Sequence, residues 1–295
     1  MDASLGSSEL ILNPDGSIYH LNLLPEDIAT TIITVGDQDR VQEVTKYFDS
    51  VEIRKSKREF TTHTGHYSGK RLTVISTGIG TDNIDIVFNE LDALANIDFT
   101  SRQIKSQKTR LNFIRVGTSG SLQPDIPVDT FLISSAGIGF DNLLHFYEAG
   151  QIKNKELEQA LTEYLGWGKY NIHPYVVDFD KELGAVFDSN HIRFGITGTN
   201  SGFYAPQGRK LRLKPSITDF NEKLAGFSYQ GTRITNLEME TAAIYGITKL
   251  HGHRAVSLNA ILANRATGEF SKQGHRTIDR LIQYTLERMA QSQLV

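Results

Sequence analysis

Leu111-Asn112-Phe113-Ile114-Arg115-Val116-Gly117-Thr118-Ser119-Gly120 is the stretch from which the rest of the chain is read. Leu111 to Val116 is nearly continuous in apolar residues, the pattern of a strand covered on both faces. Runs of the same kind, rich in Val, Ile and Thr, lie at Thr30 to Val35, Leu72 to Thr77, Thr130 to Ser135, Ile192 to Thr197 and Ala255 to Ala263. Helix-like stretches fall between them, at Asp37 to Phe48, Asn83 to Ala95, Lys155 to Leu165, Leu237 to Leu250 and Lys272 to Ala290. Strands alternating with helices predict an α/β fold with a mixed or mostly parallel sheet. No repeat and no Pro/Gly/Ser-rich linker divides the chain, so residues 1–295 are read as one domain, with 1–15 as a flexible N-terminal extension. Asn96 to Arg110 is polar and basic. It reads as a solvated surface insertion, with a regulatory patch as the lesser reading.

The composition narrows the chemistry. Hydrophobic residues make up 39% and charged residues 22%, enough for one sizeable core. A net charge of −3 gives no support for a nucleic-acid or membrane-surface partner, so any anion site must be a local cluster of cations. The chain has no cysteine, which excludes disulfides, thiolate catalysis and Cys-ligated zinc. No secretory signal and no apolar run of the ~20 residues a membrane helix needs is present, so a cytoplasmic location is expected.

Arg115 interrupts a buried-looking strand, and such a charge is costly without a partner. With Thr118 and Gly120 following, that partner is either a phosphate or an internal carbonyl or carboxylate. Gly36 and Arg40, in Thr34-Val35-Gly36-Asp37-Gln38-Asp39-Arg40, stand where a strand meets a helix start. Backbone N–H groups there favour an anion, although such turns are common. Ser76-Thr77-Gly78-Ile79-Gly80 fails the dinucleotide spacing, because Asn83 occupies the place of the third glycine. Arg58 and Glu59 read as a surface ion pair. Glu238 and Glu240 read as a helix start whose two carboxylates do not share a face. One suits a sugar diol, and either suits the helix dipole. Phe203, Gln207 and Arg209 offer a ring face, an amide and a guanidinium, a kit for a flat polar heterocycle.

Taken together and in this order, these segments resemble the uridine phosphorylases of the nucleoside phosphorylase family, from about His20 to the C-terminal helix. The resemblance implies a three-layer α/β/α sandwich around a mixed, partly barrel-like sheet. It implies phosphate contacts from Gly36, Arg40, Arg115 and Thr118, with Arg58 from a neighbouring subunit. Ribose contacts would come from Met239, Glu240 and the neighbour's His20. The base would meet Gly120, Phe203, Gln207, Arg209, Glu238 and Arg265, with Arg115, Gln207 and Arg209 catalytic. A homodimer, or a hexamer built from dimers, follows, with inorganic phosphate as co-substrate, no cofactor, and a monovalent cation near Glu59 and Ser76 as the one metal to consider. Asn264 stands where the purine enzymes of the family place an acid. Against this, Ala205-Pro206-Gln207-Gly208 departs from the Pro-Gly-Gln-Glu of many bacterial uridine enzymes, and the 96–110 insertion resembles the longer animal connection. Glu238 to Gly246 also resembles the bacterial purine phosphorylases. A purine phosphorylase, a water-using nucleosidase and a non-catalytic nucleoside-binding protein are the alternatives.

Overall fold

The computed structural model describes residues 4–293; residues 1–3 of the expected extension lie outside the described residues. The chain opens with β1 (Thr31–Val35) and α1 (Gln38–Thr45), followed by an antiparallel meander of β2 (Ser50–Lys57), β3 (Phe60–Tyr67) and β4 (Lys70–Ser76). Helix α2 (Thr81–Asn96) leads into a small hairpin of β5 (Ile97–Asp98) and β6 (Gln103–Ile104), and then come the long strands β7 (Asn112–Ser121) and β8 (Phe131–Gly139). Next are α3 (Lys155–Leu165), β9 (Tyr175–Asp178), α4 (Lys181–Val186), β10 (Ile192–Thr199), α5 (Phe220–Gly226), β11 (Ser228–Tyr229) and β12 (Thr232–Glu238). The chain ends with α6 (Thr241–His251), β13 (Arg254–Asn264), β14 (Glu269–Phe270) and α7 (Gly274–Gln291).

Along the sheet the order is β12, β10, β8, β13, β7, β1, β4, β3, β2, and β12 also pairs with β7 through Asn236–Ser121 and Leu237–Gly120. The path β7–β13–β8–β10–β12 therefore closes on itself as a barrel, while β1, β4, β3 and β2 extend from it as an open sheet. Alternation of side chains across the pleat makes the third layer. Ile32 and Phe113 pack with α2 and α6, whereas their chain neighbours Ile33 and Ile114 pack with α1 and α7 on the opposite face. Arg115, next in sequence, is thereby turned to the side where α2 and α6 begin.

Three readings are corrected. The hairpin of β2 and β3 was not legible as strand, because β2 is an edge strand whose exposure alternates and whose sequence is Ser-Val-Glu-Ile-Arg-Lys-Ser-Lys. Arg58 and Glu59 form its turn, Arg58 with a left-handed φ of 55°, and they make no ion pair with each other. The stretch Leu237 to Leu250 is not one helix: Glu238 ends β12, and α6 starts only at Thr241. The 96–110 insertion is mostly exposed, and through Arg102 it holds residues 5–10 of the stretch expected to be a flexible extension. Arg102 donates to the carbonyls of Leu5 and Gly6 at 2.8 Å each and also to that of Leu10, and Leu10 is 4% exposed in the core.

Candidate active site

A cavity of about 930 Å³ opens at the ends of β7, β12 and β13, beside the starts of α1, α2 and α6. Gly36 and Arg40 line it from the first strand–helix turn, and Arg115, Thr118 and Gly120 from β7. Gly117 is needed between them, because a Cβ there would sit 1.9 Å from Arg115 Nη1 as the guanidinium folds back over the strand. That guanidinium donates to Glu240 Oε2 at 2.6 Å and to Asn259 Oδ1 at 3.0 Å, and lies 3.0 Å from Glu238 Oε2. Burial disfavours its charge, but the two carboxylates outweigh burial and hold it protonated. Glu238 and Glu240 thus converge on one cation, contrary to the reading of a shared helix, because a strand end and a helix cap lie between them. Glu238 also accepts from Thr199 Oγ1 at 2.6 Å and from the N–H of Thr241 at 3.0 Å, so it caps α6. Burial, with the nearby charge of Glu240, raises its pKa against the pull of Arg115. Glu240 accepts the Gly80 N–H at 2.9 Å and keeps lone pairs toward the cavity.

Arg40 differs from Arg115. It is largely buried, its Nε has no hydrogen-bond partner, and no carboxylate lies within 4.0 Å of it among the described residues. Burial lowers its pKa, Asp37 opposes this, and Arg115 adds to the lowering. A largely buried cation that makes no close ion pair is suited to receive an anion.

The other end of the cavity is built by Phe203, Gln207 and Arg209. Gln207 Oε1 accepts from Arg209 Nη1 at 2.8 Å and from Arg265 Nη2 at 2.5 Å, while Arg265 Nη1 donates to the Gln207 carbonyl at 2.7 Å. The Arg209 guanidinium lies 3.8 Å from the Phe203 ring centroid. Neither arginine has a carboxylate partner among the described residues. Burial, aided by Arg209, pushes the Arg265 pKa down to about 10. With its oxygen committed, Gln207 has its NH₂ left to offer.

The family model described as the Phosphorylase superfamily matches residues 30–291. The chain belongs to this superfamily. It is 30% identical to the uridine phosphorylase of Thermococcus kodakarensis, over 92% of this chain and 86% of that protein. It is 27% identical to a purine nucleoside phosphorylase of Shewanella denitrificans, over 91% and 96%. A solved Trypanosoma brucei nucleoside phosphorylase, described as showing uridine phosphorylase activity, superposes with a TM-score of 0.86 at 28% identity, covering 96% of this chain and all of that one.

Within this superfamily fold, the structure brings together all the predicted cavity residues of the chain itself, Met239 included, and puts Arg265 directly behind Gln207. Arg58 and His20 lie outside the chain's own cavity. They flank Tyr19, whose ring centroid is 5.9 Å from the Arg58 guanidinium and 4.8 Å from the His20 ring. Glu59 lines the cavity, and Ser76 Oγ donates to the Glu59 carbonyl at 2.8 Å. Among the described residues no cluster of three His, Asp or Glu side chains could hold a metal, and no helix is long and apolar enough to cross a membrane. Asn264 is a correction: it faces away from the cavity, donating to the Gln123 and Ile126 carbonyls and accepting from the Ala266 and Thr267 N–H groups. Apolar Leu262 and Ala263 line the cavity instead. Asn259 and Ser257, which hold Arg115, were missed, though two polar residues in the apolar run of β13 were the signal.

Proposed function

We propose that this chain is a uridine phosphorylase, converting uridine and inorganic phosphate to uracil and ribose 1-phosphate. The observation that carries the reading is the charge layout of the cavity. Arg40 lies at one end, Arg209 and Arg265 around Gln207 at the other, none of the three with a carboxylate within 4.0 Å among the described residues, and a carboxylate, Glu240, also lines the cavity. Phosphate would sit on Arg40, Gly36 and Thr118 with Arg115 behind, and the vicinal sugar hydroxyls would donate to Glu240. The C1′–N1 bond breaks with its electron pair leaving on uracil, while a phosphate oxygen forms the new bond to C1′ from the opposite face. Donors aimed at the ring carbonyls stabilise the charge as it develops, and a fixed line of attack supplies the rest.

Uracil release should depend on phosphate and yield ribose 1-phosphate in equal amount. The check is product analysis with and without phosphate; equal uracil release in phosphate-free buffer makes the chain a hydrolase. We further propose that Arg58 and His20 complete a neighbouring subunit's site, in a dimer or a hexamer of dimers. Mixing inactive Arg58→Ala with inactive Gln207→Ala should then regain activity in hybrid dimers, each holding one intact site. An active protein that sediments as a monomer ends this assignment.

A further inference from the structure

Glu90, on α2, makes a set of contacts that core packing does not require. Its carboxylate accepts the His20 N–H at 3.1 Å and the Leu21 N–H at 2.9 Å, and meets the His20 ring at Nδ1 at 2.6 Å. The side chains are 13% and 25% exposed, so the pair is mostly shielded, with the ring reaching solvent. An ionised carboxylate only accepts, so Nδ1 must donate. In the neutral ring the proton is then on Nδ1 and the lone pair on Nε2. Among the described residues Nε2 has no hydrogen-bond partner. The Tyr19 ring stands edge-on against His20 at 79°, which limits the ring's rotation, and Lys57 Nζ fixes this stretch by donating to Asn13 Oδ1 at 2.9 Å and to the Tyr19 carbonyl.

We propose that Glu90 is a positioning residue for the nucleoside: it fixes the orientation and tautomer of His20 so that Nε2 accepts a hydrogen bond from a sugar hydroxyl in the neighbouring subunit's site. This rests on the placement of His20 in that site proposed above. Because Glu240 takes the vicinal pair, the hydroxyl left is the 5′ one. Glu90 touches no substrate and acts through His20 alone. A Gln at position 90 keeps the shape but offers one acceptor oxygen to three donors, so the ring loses its fixed aim.

The test compares uridine with 5′-deoxyuridine on wild type, Glu90→Gln, His20→Ala and the double variant. Glu90→Gln should lower kcat/KM for uridine roughly ten-fold, the scale of one ordered hydrogen bond. The loss should appear mainly in the nucleoside KM, with the phosphate KM unchanged. Turnover of 5′-deoxyuridine should be untouched, and the double variant should be no worse than His20→Ala. Both nucleosides meet the same protein, so a general loss of folded enzyme lowers both alike, and equal losses overturn the proposal. A large effect of His20→Ala with none from Glu90→Gln overturns the role of Glu90 alone. No effect of His20→Ala on uridine removes the placement of His20 and the proposal with it.

Discussion

Arg115→Ala should cost both catalysis and stability, and by different routes. The guanidinium is buried between Glu238 and Glu240, and its loss leaves two buried carboxylates without their cation. Breaking such a pair from one side destabilises by about 3 to 5 kcal/mol. Turnover should fall by about 10³-fold or more, because a charge facing the developing transition state is removed as well. The two effects can be separated. Adding Glu238→Gln to Arg115→Ala should recover part of the lost melting temperature and none of the activity. Thermal melts and phosphate saturation curves on both variants are the measurements. Near-normal saturation by phosphate in Arg115→Ala would remove Arg115 from the phosphate site.

Gln207→Ala should cripple uridine turnover and spare phosphate binding. Gln207 Oε1 is held by Arg209 and Arg265, so the rim presented to the base is one of donors: the Gln207 NH₂ and the Arg209 guanidinium, with Arg265 behind. Uracil offers two ring carbonyls to that rim and gains negative charge there as it leaves. Cytosine presents an amino group in place of one carbonyl, so donor would face donor there, while the N3–H of uracil needs an acceptor outside this rim because Gln207 Oε1 is already held. Buried hydrogen-bonding sites reject such mismatches by on the order of 10⁴-fold in favourable cases. Uridine should accordingly be preferred over cytidine and inosine in wild type. Gln207→Ala should lower kcat/KM for uridine by on the order of 10³-fold, from the lost contact and the two arginines freed to reorient, with the phosphate KM little changed. Should inosine be the best wild-type substrate, or should uridine turnover survive the substitution, the purine reading takes its place.

The alternation of buried strands and helices was legible because apolar runs such as Leu111 to Val116 and Ile192 to Thr197 are local and continuous. Lys155 to Leu165 coincides with α3 for the same reason, its apolar face recurring at helical spacing. The cavity's cations were legible one at a time: Arg115 as a charge inside a strand, Arg40 one turn into a helix, Arg209 in a loop with Gln207 and Phe203. Strands β2 and β12 were not, since Ser-Val-Glu-Ile-Arg-Lys and Thr-Arg-Ile-Thr-Asn carry too few apolar residues to announce a sheet that only pairing with neighbours creates.

By itself, then, the sequence determined which segments bury and which residue types could do chemistry, because both depend on side chains and near neighbours along the chain. Only the tertiary structure decided how the charges pair. Barrel closure by β12 on β7 brings Glu238 to Arg115, and the meeting of the α2 and α6 starts brings Gly80 to Glu240. The same packing leaves Arg40 with no carboxylate within 4.0 Å among the described residues and turns Asn264 away from the cavity. Pairing of buried charges depends on distances of a few ångströms between residues far apart in sequence, and folding alone sets those distances.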